Sequence, residues 1–230
     1  QEAIARKVYL ASNVRIENVH YLKAVKQQAI APAEASQDCS AIITLGAAVG
    51  GYTTLLKIIP LLPADFPGAL MVVLHENPGH VDAFTGYLNS HSEMSVQRVQ
   101  DGDAVRNGSC YVACGAEYAT VSAVNGHPQL QVNPNPFPKR KGSVNMLMIS
   151  VAESMGSNGV GVILSGNGED GTEGMREIHR NGGTTIVQNP DTCLSQEMPV
   201  AAIDSGPVDH VISDGKIANA LNMLLMQHSS

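Results

Sequence analysis

The distribution of apolar and polar positions along this chain predicts alternating strands and helices. Continuous apolar runs are typical of strands buried on both faces of a sheet, and stretches with apolar residues at helical spacing follow them. The predicted strands lie at residues 41–45, 69–75, 160–164, 184–187 and 210–212, and the predicted helices at residues 50–62, 81–88, 143–154, 172–180 and 217–226. This order predicts an α/β fold, with a doubly wound, mostly parallel sheet flanked by helices in three layers.

Two regions interrupt this regular order. Between residues 95 and 133 the pattern changes to short alternating runs with an Asn125-Gly126 turn, which predicts a β-hairpin insert that includes residues 110–114. Residues 30–40 are small and polar and include a proline, which is the composition of a linker. We therefore predict a domain over residues 41–230, preceded at residues 1–40 by a linker or by the remnant of an upstream domain.

The composition excludes several classes of function. The 230 residues carry 14 Lys and Arg against 21 Asp and Glu, a net charge of −7, and only 4% are aromatic. An acidic chain with few aromatic residues is a poor binder of nucleic acid. No apolar run approaches the roughly 18 residues that membrane insertion needs. The four cysteines lack the spacing of a metal site, so we expect no metal, and unpaired thiols indicate a reducing cytoplasm.

Functional residues of a doubly wound sheet gather at the carboxyl ends of its strands, where this sequence has three notable loops. The first, residues 46–51 (GAAVGG), is a glycine-rich turn between a strand and a helix. Ala48 stands where a dinucleotide-binding motif needs glycine, and no phosphate-binding Gly-Lys-Ser or Gly-Lys-Thr follows. The second loop opens with His75. Its spacing to His80, and Pro78-Gly79 between them, which we expect to break a helix, exclude a zinc-binding helix.

The third loop, residues 165–171 (SGNGEDG), contains Asp170 and has two interpretations. In the structural one, Asp170 caps the following helix and Glu173 completes a capping box; the spacing of a calcium-binding loop is absent. In the catalytic one, Asp170 orients a neighbouring imidazole. A histidine and an aspartate at strand ends are two members of a Ser-His-Asp site. The serine belongs in the first loop, where this chain has Ala48.

These motifs, in this order, resemble those of one known family. Residues 46–51 match its turn G-A-S-T-G-G, residues 72–75 (VVLH) before Pro78 match its strand that ends in histidine, and residues 164–171 (LSGNGEDG) match its loop T-G-M-G-x-D-G. Supporting matches are residues 62–67 (LPADFP), 101–103 (DGD), 108–113, 143–145 (SVN), Met198-Pro199 and Ala201-Ala202. From about residue 41 to residue 226, the chain resembles the catalytic domain of the chemotaxis methylesterase CheB.

The resemblance implies a function and a role for each motif residue. Family members hydrolyse glutamyl methyl esters on the cytoplasmic helices of chemoreceptors and release methanol, with no metal or organic cofactor. A serine at the place of Ala48 would be the nucleophile, His75 the base and Asp170 the residue that orients it. The backbone N–H groups of Val49 and Asn167 are the candidate oxyanion donors. Members usually carry an upstream receiver domain of phosphorelay signalling, and residues 1–40 are too short to hold its roughly 120 residues.

The sequence also departs from the family pattern. Ala48 has no oxygen to attack an ester, and removal of such a nucleophile costs on the order of 10⁶ in kcat in a well-studied protease. We therefore predict that the chain is inactive as it stands. Five further residues differ from the family: Val49 replaces Thr, Asn167 replaces Met, Asn145 replaces Asp, Cys114 replaces Pro and Tyr118 replaces His. Together they favour natural loss of the serine over a single engineered change, or over another nucleophile such as Ser165 or Thr53.

Three functions stay open at this point. The chain is a methylesterase or deamidase domain that lacks its nucleophile, or a non-catalytic module that binds a receptor helix or a signalling partner, or a scaffold or dimerisation domain. In the last case the carboxyl-terminal helix could contact a partner. The spacing of Leu221, Leu224 and Leu225 fits burial in the domain's own core better.

Overall fold

The computed structural model describes residues 39–134 and 142–228, all within one compact unit. Its strands are β1 (Ile42–Ala47), β2 (Ala69–Leu74), β3 (Ser95–Arg98), β4 (Ser109–Cys114), β5 (Glu117–Val124), β6 (His127–Pro134), β7 (Gly159–Ile163), β8 (Thr184–Gln188) and β9 (His210–Ile212). Its helices are α1 (Gly51–Ile58), α2 (Pro78–His91), α3 (Ser143–Met155), α4 (Thr172–Arg180), α5 (Glu197–Ser205) and α6 (Ile217–His228). The predicted linker or domain remnant at residues 1–40 lies, up to residue 38, outside the described residues.

Seven strands form one parallel sheet in the order β3-β4-β2-β1-β7-β8-β9. This confirms the predicted doubly wound fold. The chain passes from β1 to β2 on one side and from β7 to β8 on the other, so the strand order reverses between β1 and β7. A sheet that reverses in this way leaves a crevice outside the carboxyl ends of the two strands at the switch point.

Both faces of the sheet are covered, which confirms the three layers. β1 is buried at all its positions, and its alternate side chains enter different cores. Ile43 and Leu45 pack in a core that includes apolar residues of α1, α2 and α6. Ile42 packs in a second core that includes apolar residues of α3, α4 and α5 and of the β5–β6 hairpin. The predicted burial of the carboxyl-terminal helix is confirmed, since Leu221 and Leu225 are buried there.

The β-rich insert is smaller than predicted. Among the strands of the described residues, β5 and β6 are the one antiparallel pair, around the Asn125-Gly126 turn, whose residues both have positive φ. β3 and β4 instead extend the parallel sheet, so the placement of residues 110–114 in the insert was wrong. The apparent alternation of that segment misleads, because the last five residues of β4 are all buried, on both faces of the sheet.

One helix begins earlier than the sequence indicated, and another was not predicted at all. The expectation that Pro78-Gly79 breaks a helix was wrong, since α2 begins at Pro78. Proline suits the first helical position, where no N–H is needed, and Asn77 caps the helix by accepting a hydrogen bond from the His80 N–H at 3.0 Å. Helix α5 was not predicted, and its Pro199 lies in the first turn, where proline is tolerated. Within the described ranges, no helix has the length and apolar character that crossing a membrane would require.

Candidate active site

The three loops singled out from the sequence meet at the carboxyl edge of the sheet. The Ala48 N–H donates to the Ser165 carbonyl at 3.1 Å, which joins the loop after β1 to the loop after β7. The His75 N–H donates to the Ala47 carbonyl at 2.9 Å, which places the start of the loop after β2 beside the same turn. These backbone bonds bring the positions of the predicted nucleophile, base and acid to one crevice, at the switch point of the sheet.

Ala48 lies on a tight turn between β1 and α1. Gly50, which precedes the helix, has φ of +85°, a conformation that glycine adopts without strain. A Cβ at Gly50 would lie 2.6 Å from both the Ser165 hydroxyl oxygen and the Leu194 Cβ, so only glycine fits the turn. Ala48 itself is 4% exposed. The turn therefore has the strand-to-helix shape of a nucleophile elbow, with a methyl group in place of the hydroxyl.

His75 and Asp170 form a close pair in the crevice. His75 Nε2 lies 2.9 Å from Asp170 Oδ2, and the two side chains are only 14% and 8% exposed. Proximity of this kind is what a catalytic base and its orienting acid require, and burial strengthens the contact by excluding water. The distance between the two side chains is compatible with that role, and the role of the pair in catalysis stays a prediction.

The carboxylate of Asp170 does not cap its own helix. Its Oδ2 and Oδ1 instead accept hydrogen bonds from the Val144 and Asn145 N–H groups, each at 3.1 Å, at the amino end of α3. Glycine, not a capping side chain, precedes α4, and Glu173 pairs with Arg176 at 2.7 Å. The capping-box interpretation of Asp170 was therefore wrong. The helix that this residue caps is 26 positions away in the sequence, and local spacing could not reveal it.

The side chain of Asn145, on α3, caps the amino end of α4. Its side-chain Oδ1 accepts hydrogen bonds from the Gly171 N–H at 3.1 Å and from the Gly174 N–H at 2.9 Å, at the amino end of α4. Asp170 thus caps α3 while Asn145, on α3, caps α4. At each helix start, the side chain accepts hydrogen bonds from N–H groups that have no partner within their own helix. The substitution of Asn for the family's Asp at residue 145 is compatible with this role, because an amide oxygen also accepts two hydrogen bonds.

A residue that the sequence reasoning did not assign to the site also contacts His75. Ser143 Oγ lies 3.1 Å from His75 Nε2, within the distance expected between a nucleophile and its base. However, Ser143 is fully buried in the first turn of α3 and not on the elbow, so an ester cannot reach it. The sequence did give one signal for Ser143, because this residue begins the SVN motif that supported the family resemblance.

The N–H groups of Val49 and Asn167, the predicted oxyanion donors, follow two carbonyls that are fixed by the starts of helices. The Ala48 carbonyl accepts from the Gly51 N–H at 2.9 Å, and the Gly166 carbonyl accepts from the Met198 N–H at 2.9 Å. Because a trans peptide directs its C=O and N–H in opposite directions, both N–H groups point away from the helices that fix their carbonyls. Neither has a hydrogen-bond partner among residues 39–134 and 142–228.

The other hydroxyls and the thiols are poor nucleophiles. Ser165 is 1% exposed and donates to the Val49 carbonyl at 2.8 Å, so it holds the turn in place. Thr53 is exposed on α1, beyond the elbow. Burial raises the pKa of Cys39 and Cys193 to about 11 and that of Cys110 to about 12, and burial also raises the pKa of Cys114. All four thiols therefore stay protonated at neutral pH.

Two further differences from the family pattern also lie at this edge of the sheet. Tyr118, in the family's His position, has its hydroxyl oxygen 3.3 Å from where a Gly142 Cβ would lie, beside the first turn of α3. Partial burial and then the negative charge of Asp170 raise the pKa of Tyr118. Cys114, in the family's Pro position, ends β4 and is buried. In the described part of the chain, no three His, Cys, Asp or Glu side chains form a group that could hold a metal ion.

Comparison with known proteins identifies the same family as the sequence motifs. A family model for the CheB methylesterase matches residues 43–221. The protein-glutamate methylesterase/protein-glutamine glutaminase of Pyrococcus horikoshii is 33% identical over 205 residues, which are 89% of this chain and 55% of that protein. The protein of the same name from Salmonella typhimurium is 32% identical over 221 residues, 96% of this chain and 62% of that protein.

A solved structure supports the same assignment. The crystal structure of the Thermotoga maritima CheB methylesterase catalytic domain is similar, with a TM-score of 0.77 and 33% identity, and the match covers 80% of this chain and 98% of that one. The chain spans a little over half the length of the curated relatives it matches. Its parallel sheet, its elbow turn and the matched residues place it with these proteins: the chain belongs to the CheB methylesterase family.

Proposed function

We propose that this domain binds glutamyl side chains on the cytoplasmic helices of chemoreceptors, as its family does, and does not hydrolyse their methyl esters. The observation that carries this proposal is the methyl group of Ala48 on an otherwise complete elbow. Without an oxygen there, no acyl-enzyme can form. The domain would then act in chemotaxis signalling by occupying a modification site, not by changing it.

The features that bind a substrate carbonyl do not depend on the missing serine. The N–H groups of Val49 and Asn167 lie on neighbouring loops and have no partner in the described residues. They can donate to the oxygen of an ester or an amide. His75 and Asp170 keep their pairing at 2.9 Å. A glutamyl methyl ester or a glutamine side chain therefore suits the crevice, which matches the two activities in the printed names of the curated relatives.

The wider biological setting follows the same proposal. The relatives are longer than this chain, and we propose that residues 1–40 form the linker from an upstream receiver-type domain, or a remnant of one. We place the protein in the cytoplasm, where the modified receptor helices lie. The second candidate partner is a signalling protein other than a receptor. The absence of a nucleophile at Ala48 is compatible with either partner, because a domain without a nucleophile can bind any helix that fits the crevice.

The elbow presents an apolar rim that such a helix would contact. Val49 is 51% exposed and Leu194 is 79% exposed, and both adjoin Gly50. We expect Val49→Asp to weaken binding to receptor membranes about 10-fold, because the charge has to be desolvated on docking. Val211→Asp is the matched control, since Val211 is 52% exposed on β9, at the edge of the sheet. Equal affinity of the two variants would show that the helix docks elsewhere.

The proposed function is tested by measuring binding and turnover on the same sample. The unmodified chain is mixed with membranes that contain methylated chemoreceptors, sedimented, and assayed for bound protein and for released methanol. We expect binding with methanol at the background level. Methanol release above that level would contradict the proposal and require another nucleophile. Absence of binding to methylated and unmethylated receptors alike would reject the receptor as partner and favour the signalling protein.

A further inference from the structure

Ser165, in the loop after β7, is a buried residue whose hydroxyl joins two neighbouring loops. The hydroxyl oxygen accepts the Ser195 N–H at 3.1 Å, and the hydroxyl donates to the Val49 carbonyl at 2.8 Å. Donor and acceptor are fixed in both contacts, because a backbone N–H can only donate and a carbonyl can only accept. The Ser195 carbonyl lies farther from the hydroxyl, at 3.2 Å, and already accepts the Gly166 N–H.

This hydroxyl lies between the two N–H groups that we assign to binding a substrate carbonyl. One of them belongs to Val49, whose own carbonyl the hydroxyl holds, and the other belongs to Asn167, two residues after Ser165. We propose that Ser165 is a positioning residue that keeps these two N–H groups at a fixed separation. The inference rests on the proposed function and deepens it, by naming the residue on which the spacing of the two donors depends.

On the elbow, Ser165 holds the peptides on both sides of the one that carries the Val49 N–H. Its carbonyl accepts the Ala48 N–H of the preceding peptide at 3.1 Å, and its hydroxyl bonds the Val49 carbonyl of the following peptide. The Ala48 carbonyl of the middle peptide accepts the Gly51 N–H at 2.9 Å. Because each peptide is planar, these contacts restrict the direction in which the Val49 N–H points.

The Asn167 N–H is fixed in a similar way on the loop after β7. The peptide that carries it has the Gly166 carbonyl, which accepts the Met198 N–H at 2.9 Å. The preceding peptide donates its Gly166 N–H to the Ser195 carbonyl at 3.1 Å, and the Ser195 N–H returns a bond to the Ser165 hydroxyl. One residue, Ser165, therefore connects the loop that carries one donor to the loop that carries the other.

A second buried polar side chain holds Ser165 in place. Gln188, at the end of β8, is fully buried; its Oε1 accepts the Ser165 N–H at 2.9 Å and the Thr54 hydroxyl at 3.2 Å. Its Nε2 donates to the Thr192 carbonyl at 3.1 Å. A buried polar network whose members are all bonded is rigid, because any shift leaves a polar group without a partner. Ser165 thus has its N–H, its carbonyl and its hydroxyl all engaged.

The sequence agrees with a role that outlasts the lost nucleophile. The family loop T-G-M-G-x-D-G has threonine where this chain has Ser165, so a hydroxyl is present here, whereas the elbow has none at Ala48. A hydroxyl that positions carbonyl-binding groups stays useful in a domain that binds an ester without hydrolysing it. The threonine of the family also supplies a conservative variant for the test.

Nitrogen-15 relaxation-dispersion NMR tests the inference without turnover or ligand. We expect the Val49 and Asn167 amides to show no exchange on the microsecond-to-millisecond timescale in the unmodified chain, and to exchange at one common rate in Ser165→Ala. Thr44→Val is the matched control, because it removes another buried hydroxyl that joins β1 to β7, by donating to the Val160 carbonyl at 2.9 Å. A purely structural role would lower the stability of both variants and leave the two amides static.

Turnover in an Ala48→Ser background gives a second readout. There Ser165→Ala should lower kcat about 10- to 100-fold, less than the 10²–10³ that loss of a whole oxyanion donor costs. KM should rise less than about 3-fold, because the donors bind the oxygen more strongly once it is charged in the transition state. Ser165→Thr should restore kcat, and Thr44→Val should leave it unchanged.

The outcomes separate this inference from the proposed function. Static amides in Ser165→Ala, or exchange confined to one of the two, would overturn the inference. An unchanged kcat in Ser165→Ala would do the same, and failure of Ser165→Thr to restore kcat would show that the hydroxyl is not what matters. Methanol release by the unmodified chain would contradict the proposed function alone. If Ala48→Ser is inactive, the NMR measurement still decides the role of Ser165.

Discussion

Ala48→Ser is expected to raise methanol release from methylated chemoreceptor membranes by about 10³-fold over the unmodified chain. The substitution adds a single oxygen to a turn that already has the required backbone shape, beside His75 and Asp170. Loss of a nucleophile costs on the order of 10⁶ in a well-studied protease, and a site that has diverged at several other positions should recover only part of that factor. Glycine at 166 leaves room, since a Cβ there would lie 3.0 Å from the Ala48 Cβ.

The double variant Ala48→Ser with His75→Gln is the control for this gain. It keeps the hydroxyl and removes the base, so methanol release should return to the level of the unmodified chain. If both variants are equally active, the serine works without His75 and the proposed base is wrong. If Ala48→Ser is folded and inactive, the changes at Val49 and Asn167 have altered the crevice, and the domain is a binding module even with a serine in place.

Asp170→Ala is expected to lower the free energy of unfolding by about 3 kcal/mol, a cost typical of removing one partner from a buried polar network. The substitution leaves the Val144 and Asn145 N–H groups without their acceptor and removes the carboxylate that lies 2.9 Å from His75 Nε2. For a domain of this size the change corresponds to a fall of roughly 6–12 °C in Tm. Urea unfolding followed by circular dichroism measures it.

Asp204→Ala provides the matched comparison, because Asp204 is an exposed aspartate on α5. It should change the free energy of unfolding by less than about 0.5 kcal/mol. A loss from Asp170→Ala no greater than that of the control would mean that solvent supplies the missing acceptor, and that the amino ends of α3 and α4 do not depend on Asp170.

The regular elements could be predicted from the sequence because their apolar spacing is local. The helix at Thr172–Arg180 and the strand at His210–Ile212 have the predicted bounds. β4 was misassigned because a strand buried on both faces and a hairpin strand can show the same short apolar pattern. The error at Pro78 has a different cause, since proline ends a helix from within and favours one at its first position.

The sequence was sufficient to predict which residues form the candidate site, but not which contacts those residues make. Strand ends and glycine-rich turns indicated His75 and Asp170, because a parallel sheet gathers its strand ends along one edge. That Asp170 caps α3, and that Ser143 contacts His75, depends on how helices far apart in the sequence dock on the sheet. No local pattern contains that information. The capping-box interpretation failed because the spacing from Asp170 to Glu173 fits a local cap that the structure does not use.

The exchange of caps between α3 and α4 has a consequence for the history of the site. Asp170 supports the docking of two helices whether or not any ester is hydrolysed, so selection for a folded domain preserves it after selection for turnover ends. His75 benefits from the same protection through its contact with Asp170. The methyl group of Ala48 supports nothing comparable. A lineage released from catalysis can therefore lose its serine in one step and keep its acid and base unchanged long afterwards.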